Sequence, residues 1–375
     1  MRIAVNTQLL LKDRLEGLGY FTHETLKRIT KQHPEHEFIF IFDRAWDQEF
    51  IYSDNIIPVK TFLPSRHPIL WYLRFQYLIP RILKKYQAEL FVSTDGWSII
   101  NSSIKTYNVI HDIEFVHRPK QFPSLVRAYF NYYFKKSALQ CTGLATVSEY
   151  SKTDMVNEWN ISPSKIDVIY NGSNEIYTPL MPDEIEKTLQ ETTKGIPYFI
   201  YIGSLNPRKN IEGMLLGFDH FKQQTKLPHK LVIVGEKMWH SQSIEQVYER
   251  MHSKTDVLFL GRQNTELLHK QLGSAVALIL VSHLEGFGIP IIEAMNCDVP
   301  VICSNITAMP EVAGNASHLV DPNSINSIAK GMEKLATDKE YRNQLIANGR
   351  IQRTKFSWDV SAEKLWNSIE KCLET

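Results

Sequence analysis

Within HLEGFGIPIIEAM, residues 283–295, two carboxylates, Glu285 and Glu293, stand eight positions apart around Gly286, Phe287 and Gly288, and Pro290 is placed to open a helix. The apolar run ALILVS ahead of them reads as a strand, so the unit is strand, glycine loop, helix. Backbone N–H groups of such a loop and the positive end of the helix dipole converge on one spot. The glycines let a phosphate come close to the main chain there. Glu293 is expected in the first helical turn, beside that anion. Two carboxylates repel a phosphate unless they have another task, and the available one is accepting hydrogen bonds from sugar hydroxyls. The plain alternative is a capped helix with Glu293 complementing the dipole and Glu285 solvated.

A second unit points the same way. The strand YFIYIG ends at Gly203 and runs through SLNPRKN into a helix expected to begin near Asn210, with Arg208 and Lys209 just before it. Two cations oppose the macrodipole at a helix start, unless a bound anion reverses the local balance or both are simply solvated. No Asp-x-Asp occurs in the chain. Fixed cations and helix N-termini, rather than a divalent ion, are therefore expected to meet a diphosphate, with no metal site and no cofactor.

The elements that must position these residues are legible as an alternation. Short β-rich runs at 2–6, 37–42, 89–93, 106–110, 143–148 and 165–170 are separated by helical stretches, which predicts an α/β half with a mostly parallel sheet. A polar stretch at 171–195 interrupts the pattern and is the expected domain boundary. Runs at 198–203, 230–235, 256–261, 277–282, 299–303 and 316–320 then predict a second doubly wound sheet. Ile211, Met214, Leu215, Phe218 and Phe221 follow the spacing of a helix packed on that sheet.

A length of 375 residues fits two domains. Forty-two Lys and Arg against 41 Asp and Glu leave a net charge of +1, which gives no general argument for a nucleic-acid partner. Four cysteines without a C-x-x-C pair read as reduced thiols, and the N-terminus reads as a buried strand rather than a signal peptide. No apolar run approaches the ~20 residues that span a bilayer. A cytoplasmic protein, free or peripheral on the inner face of the membrane, is expected. Charge is uneven locally: between Arg66 and Lys136 eleven Lys or Arg face four Asp or Glu, with aromatics interleaved. That composition suits an anionic membrane surface or a lipid-linked acceptor, and equally a packed core with a solvated basic face.

The E-x7-E of EGFGIPIIE together with GSLNPRKN resembles the retaining glycosyltransferases of the GT-B fold, glycosyltransferase family 4 in particular, and the likeness extends over nearly the whole chain. It implies two Rossmann-like doubly wound domains facing across a cleft: an acceptor-binding domain over 1–175, a nucleotide-sugar domain over 196–356, and a last helix, 357–375, crossing back onto the first. By this resemblance Glu285 contacts donor-sugar hydroxyls, Glu293 the nucleotide ribose, and Arg208 and Lys209 the diphosphate. Gly203, Gly286, Phe287 and Gly288 line the donor site. GLGYFTHETL resembles the family's glycine loop, with Gly17 and Gly19 near donor phosphate or acceptor. Thr22 stands where a dinucleotide fingerprint has its third glycine. His111 and Asp112 resemble the pair at the transfer centre, His111 at the donor sugar and Asp112 either orienting it or on the acceptor side. Ser148, Asn171 and Gly172 are candidates for the cleft or hinge, with structural roles at least as plausible. LVIVGEKMW is similar to mannosyl- and rhamnosyl-transferring relatives, a weak pointer to GDP-mannose.

The expected activity is transfer of a hexose from a nucleotide-sugar donor, a substrate rather than a cofactor, to a saccharide or lipid-linked saccharide acceptor in cell-surface polysaccharide or glycolipid assembly. A related sugar-nucleotide epimerase or phosphorylase, and a non-catalytic sugar-nucleotide-binding partner, are the alternatives.

Overall fold

All the apolar runs become strands, and every strand pairing is parallel. The computed structural model describes residues 1–62, 67–236 and 242–374. Arg66 of the basic stretch and Lys237, Met238 and Trp239 of LVIVGEKMW lie outside the described residues. The chain divides into two compact units, Met1–Gly172 with Ser357–Thr375, and Ser173–Phe356.

Unit 1 holds β1 (Arg2–Asn6), β2 (Glu37–Phe42), β3 (Ile56–Lys60), β4 (Leu90–Ser93), β5 (Lys105–Val109), β6 (Gly143–Thr146) and β7 (Ile166–Val168), in spatial order β3-β2-β1-β4-β5-β6-β7. The reversal of strand order lies between β1 and β4, where such sheets open a crevice at their C-terminal ends. β3 had no counterpart in the sequence pattern. Pro58 interrupts its apolar run, and a proline is tolerated in a sheet at an edge position, which β3 occupies. The helices used below are α1 (Gly17–Gln32), α2 (Pro68–Leu73), α3 (Ile79–Tyr86), α4 (Ser124–Gln140) and α5 (Glu149–Trp159).

Unit 2 adds α6 (Pro182–Thr193), β8 (Tyr198–Ile202), α7 (Ile211–Thr225), β9 (Lys230–Val234), β10 (Val257–Gly261), β11 (Ala277–Leu280), α8 (Ile289–Asn296), β12 (Val301–Ser304) and β13 (Ser317–Val320). Its strand order is β10-β9-β8-β11-β12-β13, with the reversal between β8 and β11. α6 makes the polar stretch at 173–195 part of this unit rather than a bare connection. The predicted apolar stripe of α7, Ile211, Met214, Leu215, Phe218 and Phe221, is buried throughout.

Two glycines end neighbouring strands of this sheet. Gly203 (φ +152°) follows β8 and Gly235 (φ +154°) follows β9, and a Cβ on Gly235 would stand 1.8 Å from the Gly203 carbonyl oxygen. The Gly203 N–H donates to the Val234 carbonyl at 3.0 Å, and the Gly235 N–H to that of Gly261 at 2.9 Å. Backbone thus lies against backbone where β8 turns into its loop.

The final helix, α9 (Trp358–Glu374), belongs to unit 1 and packs on α1, β5 and β6. It buries Trp358, Leu365, Trp366 and Ile369. Tyr107 Oη donates to Ser368 Oγ at 2.7 Å, and Gly172 has no Cβ because Trp358 fills that space, its N only 2.5 Å away.

Candidate functional site

The loops after β8 and after β11 flank the reversal point of the second sheet, and the structure joins them. Pro207–Lys209 form a 3-10 turn, and Asn210 (φ 56°) joins it to α7, so Arg208 and Lys209 lie just before the helix as expected. They turn to Glu285. Lys209 Nζ reaches its Oε1 at 2.6 Å and Arg208 Nη1 its Oε2 at 3.3 Å, while Ser282 Oγ donates to Oε1 at 2.7 Å. Arg208 Nη1 also donates to the Leu284 carbonyl at 3.1 Å, and the His283 N–H to the Arg208 carbonyl at 2.8 Å. Asn210 Nδ2 bridges the carbonyls of Val281 and Pro322 at 3.0 and 2.8 Å. The left-handed backbone of Asn210 suits that residue type, whose short amide tolerates the conformation.

Glu285 is therefore the hub of an ion-paired cluster rather than a solvated carboxylate. Burial alone would raise it. Lys209 and then Arg208 outweigh burial, and its carboxyl lies below the usual range. It accepts three hydrogen bonds of the roughly four that a carboxylate takes. Both cations thus converge on this one carboxylate.

Glu293 has a different environment. It is the fifth residue of α8, in the second turn and not the first, because the helix already begins at Ile289. Burial pushes it up to about 8, partly offset by a hydrogen bond from the Tyr177 hydroxyl. At neutral pH it is mostly protonated, so neither carboxylate opposes an anion here: one is ion-paired, the other uncharged. Gly288 (φ +98°) starts α8 in a conformation that requires glycine, and buried Phe287 packs edge-on against Phe356 at 5.6 Å. Thr307 (φ 60°) accepts from the Glu285 N–H through Oγ1 at 3.4 Å. Ser282, Thr307 and Tyr177 were not singled out in the sequence, and Asn210 only as a helix start. Of the three, Ser282, closing its strand three residues before Glu285, gave a usable signal.

In unit 1, His111 follows β5 and is 9% exposed. Its Nε2 donates to the Thr94 carbonyl at 2.9 Å, its ring meets Phe21 edge-on at 5.0 Å, and its own carbonyl accepts from Ser151 Oγ at 2.9 Å. Burial lowers its pKa against the opposing pull of the Thr94 carbonyl, keeping it neutral. Asp112 does not orient it. The Asp112 carboxylate caps the Glu114 N–H at 3.1 Å, and the orienting group is the Thr94 carbonyl. Gly17 opens α1 at the surface, and buried Gly19 passes 3.0 Å from the Leu9 carbonyl oxygen, measured from where a Cβ would be. Ser148 caps α5 through the Ser151 N–H at 3.0 Å, a structural role. Among the described residues His117, Asp154 and Glu158 form the one group spaced to hold a metal ion; His117 Nε2 already meets both Asp154 oxygens, at 2.8 and 2.9 Å.

Known proteins share both halves. Residues 15–175 match the family model "Glycosyltransferase Family 4" and residues 183–352 the model "Glycosyl transferases group 1". The chain is 27% identical to O-antigen chain mannosyltransferase B of Escherichia coli over 96% of its length and 97% of that protein's. It is 31% identical to O-antigen chain mannosyltransferase RfbU of Salmonella typhimurium over 75% of each. Among solved structures, Anabaena Alr3699/HepE in complex with UDP-glucose aligns over 99% of this chain and 100% of its own, with a TM-score of 0.76 at 16% identity, a likeness of GT-B fold.

Proposed function

The chain belongs to glycosyltransferase family 4, with the group 1 glycosyl transferase domain as its second half, and from that premise we propose that it is a metal-independent retaining hexosyltransferase using a nucleoside diphosphate sugar. The observation supporting this most directly is the Lys209–Glu285–Arg208 cluster at the strand reversal of the second sheet. Cleaving the anomeric C–O bond puts negative charge on the departing diphosphate. Lys209 and Arg208 hold positive charge already fixed in a poorly solvated place, where it is worth more than in water and needs no reorganisation. Glu285 fixes both cations and keeps one acceptor position for a donor-sugar hydroxyl, and Glu293, largely protonated, accepts or donates at the ribose.

The acceptor oxygen then bonds to the anomeric carbon on the face the diphosphate leaves, giving its proton to a departing phosphate oxygen. Glu285, the carboxylate of the cluster, is engaged by Lys209, Arg208 and Ser282, which favours this route over a covalent intermediate. His111, neutral and held by Thr94, is assigned to the transfer step in unit 1. Relatives named as O-antigen mannosyltransferases favour GDP-mannose as donor and cell-surface polysaccharide assembly as the setting. Thermal shift against a panel of nucleotide sugars identifies the donor, since a ligand at about 100 times its Kd stabilises by roughly 2.7 kcal/mol. Nucleoside diphosphate release with that donor and an acceptor is then expected to continue in EDTA. Complete loss restored by magnesium would sink the metal-free mechanism, and inverted product stereochemistry the retaining one.

The basic aromatic region fits docking on an anionic lipid surface that presents the acceptor. Ile69, Leu73 and Tyr77 recur every fourth residue from α2 onward and are 57%, 39% and 46% exposed; Arg81, Lys84 and Lys85 continue along α3. No described helix is long and apolar enough to cross a membrane. The expected attachment is peripheral, on the cytoplasmic face.

A further inference from the structure

We propose that the Thr94–Asp95 turn is a tautomer lock for His111, with Asp95 as the positioning residue that keeps the His111 Nε2 protonated and its Nδ1 lone pair available. The chain of contacts begins at the ring. A carbonyl oxygen only accepts, so the 2.9 Å bond to Thr94 requires hydrogen on Nε2. In the neutral ring Nδ1 is then the acceptor nitrogen. Whatever fixes the Thr94 carbonyl therefore chooses the tautomer.

That carbonyl shares a rigid peptide plane with the N–H of Asp95, and the Asp95 carboxylate is pinned from several elements. Asn6 Nδ2, at the end of β1, donates to both oxygens at 3.0 Å; Gln8 Nε2 donates to Oδ2 at 2.8 Å. Ser93 Oγ and the Trp97 N–H donate to Oδ1 at 2.7 and 3.2 Å. Five donor contacts onto two acceptor oxygens favour the ionised carboxylate against the burial that pushes its pKa up, and the charge of buried Arg74 acts at longer range on Asp43 and on Asp95. A charge buried at this cost in a sheet reversal needs a reason, and orienting its own preceding carbonyl is one. The other flank is held by hydroxyls. Thr22 Oγ1 gives its only hydrogen to the Leu18 carbonyl at 2.9 Å, so the 2.7 Å contact with Thr94 is donated by the Thr94 hydroxyl. Thr22, which replaced a fingerprint glycine, thus ties the Gly17–Gly19 helix start to the lock.

Only the kinetic half of this inference rests on His111 acting in transfer. The test labels histidine with ¹⁵N, identifies the His111 nitrogens by their disappearance in His111→Gln, and compares the wild-type protein with Asp95→Asn and Thr22→Val. The expected wild-type signal is a single Nε2–H form. Asp95→Asn puts an amide donor among donors and should yield mixed tautomers, a kcat lower by about 10–100-fold at little changed donor KM, and a displaced acid limb of the pH profile. Thr22→Val should move the tautomer ratio the same way, and it decides the matter alone if Asp95→Asn does not fold. A purely Nε2–H ring in the folded variants overturns the lock. Full activity in His111→Gln instead overturns the transfer role of His111 and the kinetic half, a separate outcome from the tautomer result.

Discussion

Lys209 and Arg208 both pair with Glu285, which fixes them where the proposed leaving diphosphate would gain its charge. Lys209→Ala is expected to lower kcat at saturating donor by on the order of 10²–10³-fold, the cost of losing one preorganised donor to developing negative charge. An assay of diphosphate release checks it, and a change confined to KM would mean equal binding of ground and transition states. Glu293 gives a pH prediction. Its folded pKa of about 8 exceeds the ordinary 4.5, so the folded protein holds this proton more tightly than the unfolded chain does. The resulting stability is full below the ordinary value and disappears as pH rises through about 8. Glu293→Gln lacks this titration. Unfolding free energies of wild type and variant from urea titration should nearly coincide near pH 5 and differ in favour of the variant near pH 9, by on the order of a few kcal/mol. Coincidence at both would show that burial does not hold the proton. The spacing of Glu285 and Glu293 was legible in the sequence, whereas their unlike charge states were not. Those states depend on Lys209 and Arg208 beside Glu285 and on the burial of Glu293, which only the fold brings about.

At the scale of elements, apolar runs revealed the strands because burial on both faces of a parallel sheet demands nearly continuous hydrophobicity. β3 escaped because an edge strand tolerates the proline that breaks the pattern. Helix starts were read from Pro290 and Asn210 to within a residue or so, yet that margin moved Glu293 from the first turn to the second. Gly235 was seen only as the end of a strand. Its need for glycine arises across the sheet, from the Gly203 carbonyl oxygen 1.8 Å from where a Cβ would stand. Gly235→Ala is expected to cost at least about 2 kcal/mol, because backbone rather than a mobile side chain must move. Denaturant midpoints measure this, and a loss below about 0.5 kcal/mol would show that the two turns separate freely. A loss of donor binding beside the destabilisation would follow from the position of Gly203 at the head of the Arg208 loop.

For the whole molecule, the exposed Ile69–Leu73–Tyr77 stripe and the following Arg81, Lys84 and Lys85 predict sedimentation with anionic vesicles that weakens as salt rises. Reversing Arg81, Lys84 and Lys85 to Glu should abolish it without lowering activity on a soluble acceptor. Binding indifferent to lipid charge would reduce the basic excess to a solvated face. The two-unit division was readable from the break in the strand pattern, but the discontinuity of unit 1 came from family likeness alone, since no periodicity in α9 reveals which sheet it covers. That discontinuity bears on birth as well as on form. A nascent chain leaving the ribosome presents β1 to β7 long before Trp358 and Trp366 exist to cover them. At about 5–20 residues per second, the interval taken up by Ser173–Phe356 is roughly 10–40 s. During it the seat of α9 on α1, β5 and β6 is bare apolar surface, open to chaperones and to other nascent chains. Unit 2, contiguous in sequence, is free to close first, and the earliest residues translated are among the last to find their native neighbours.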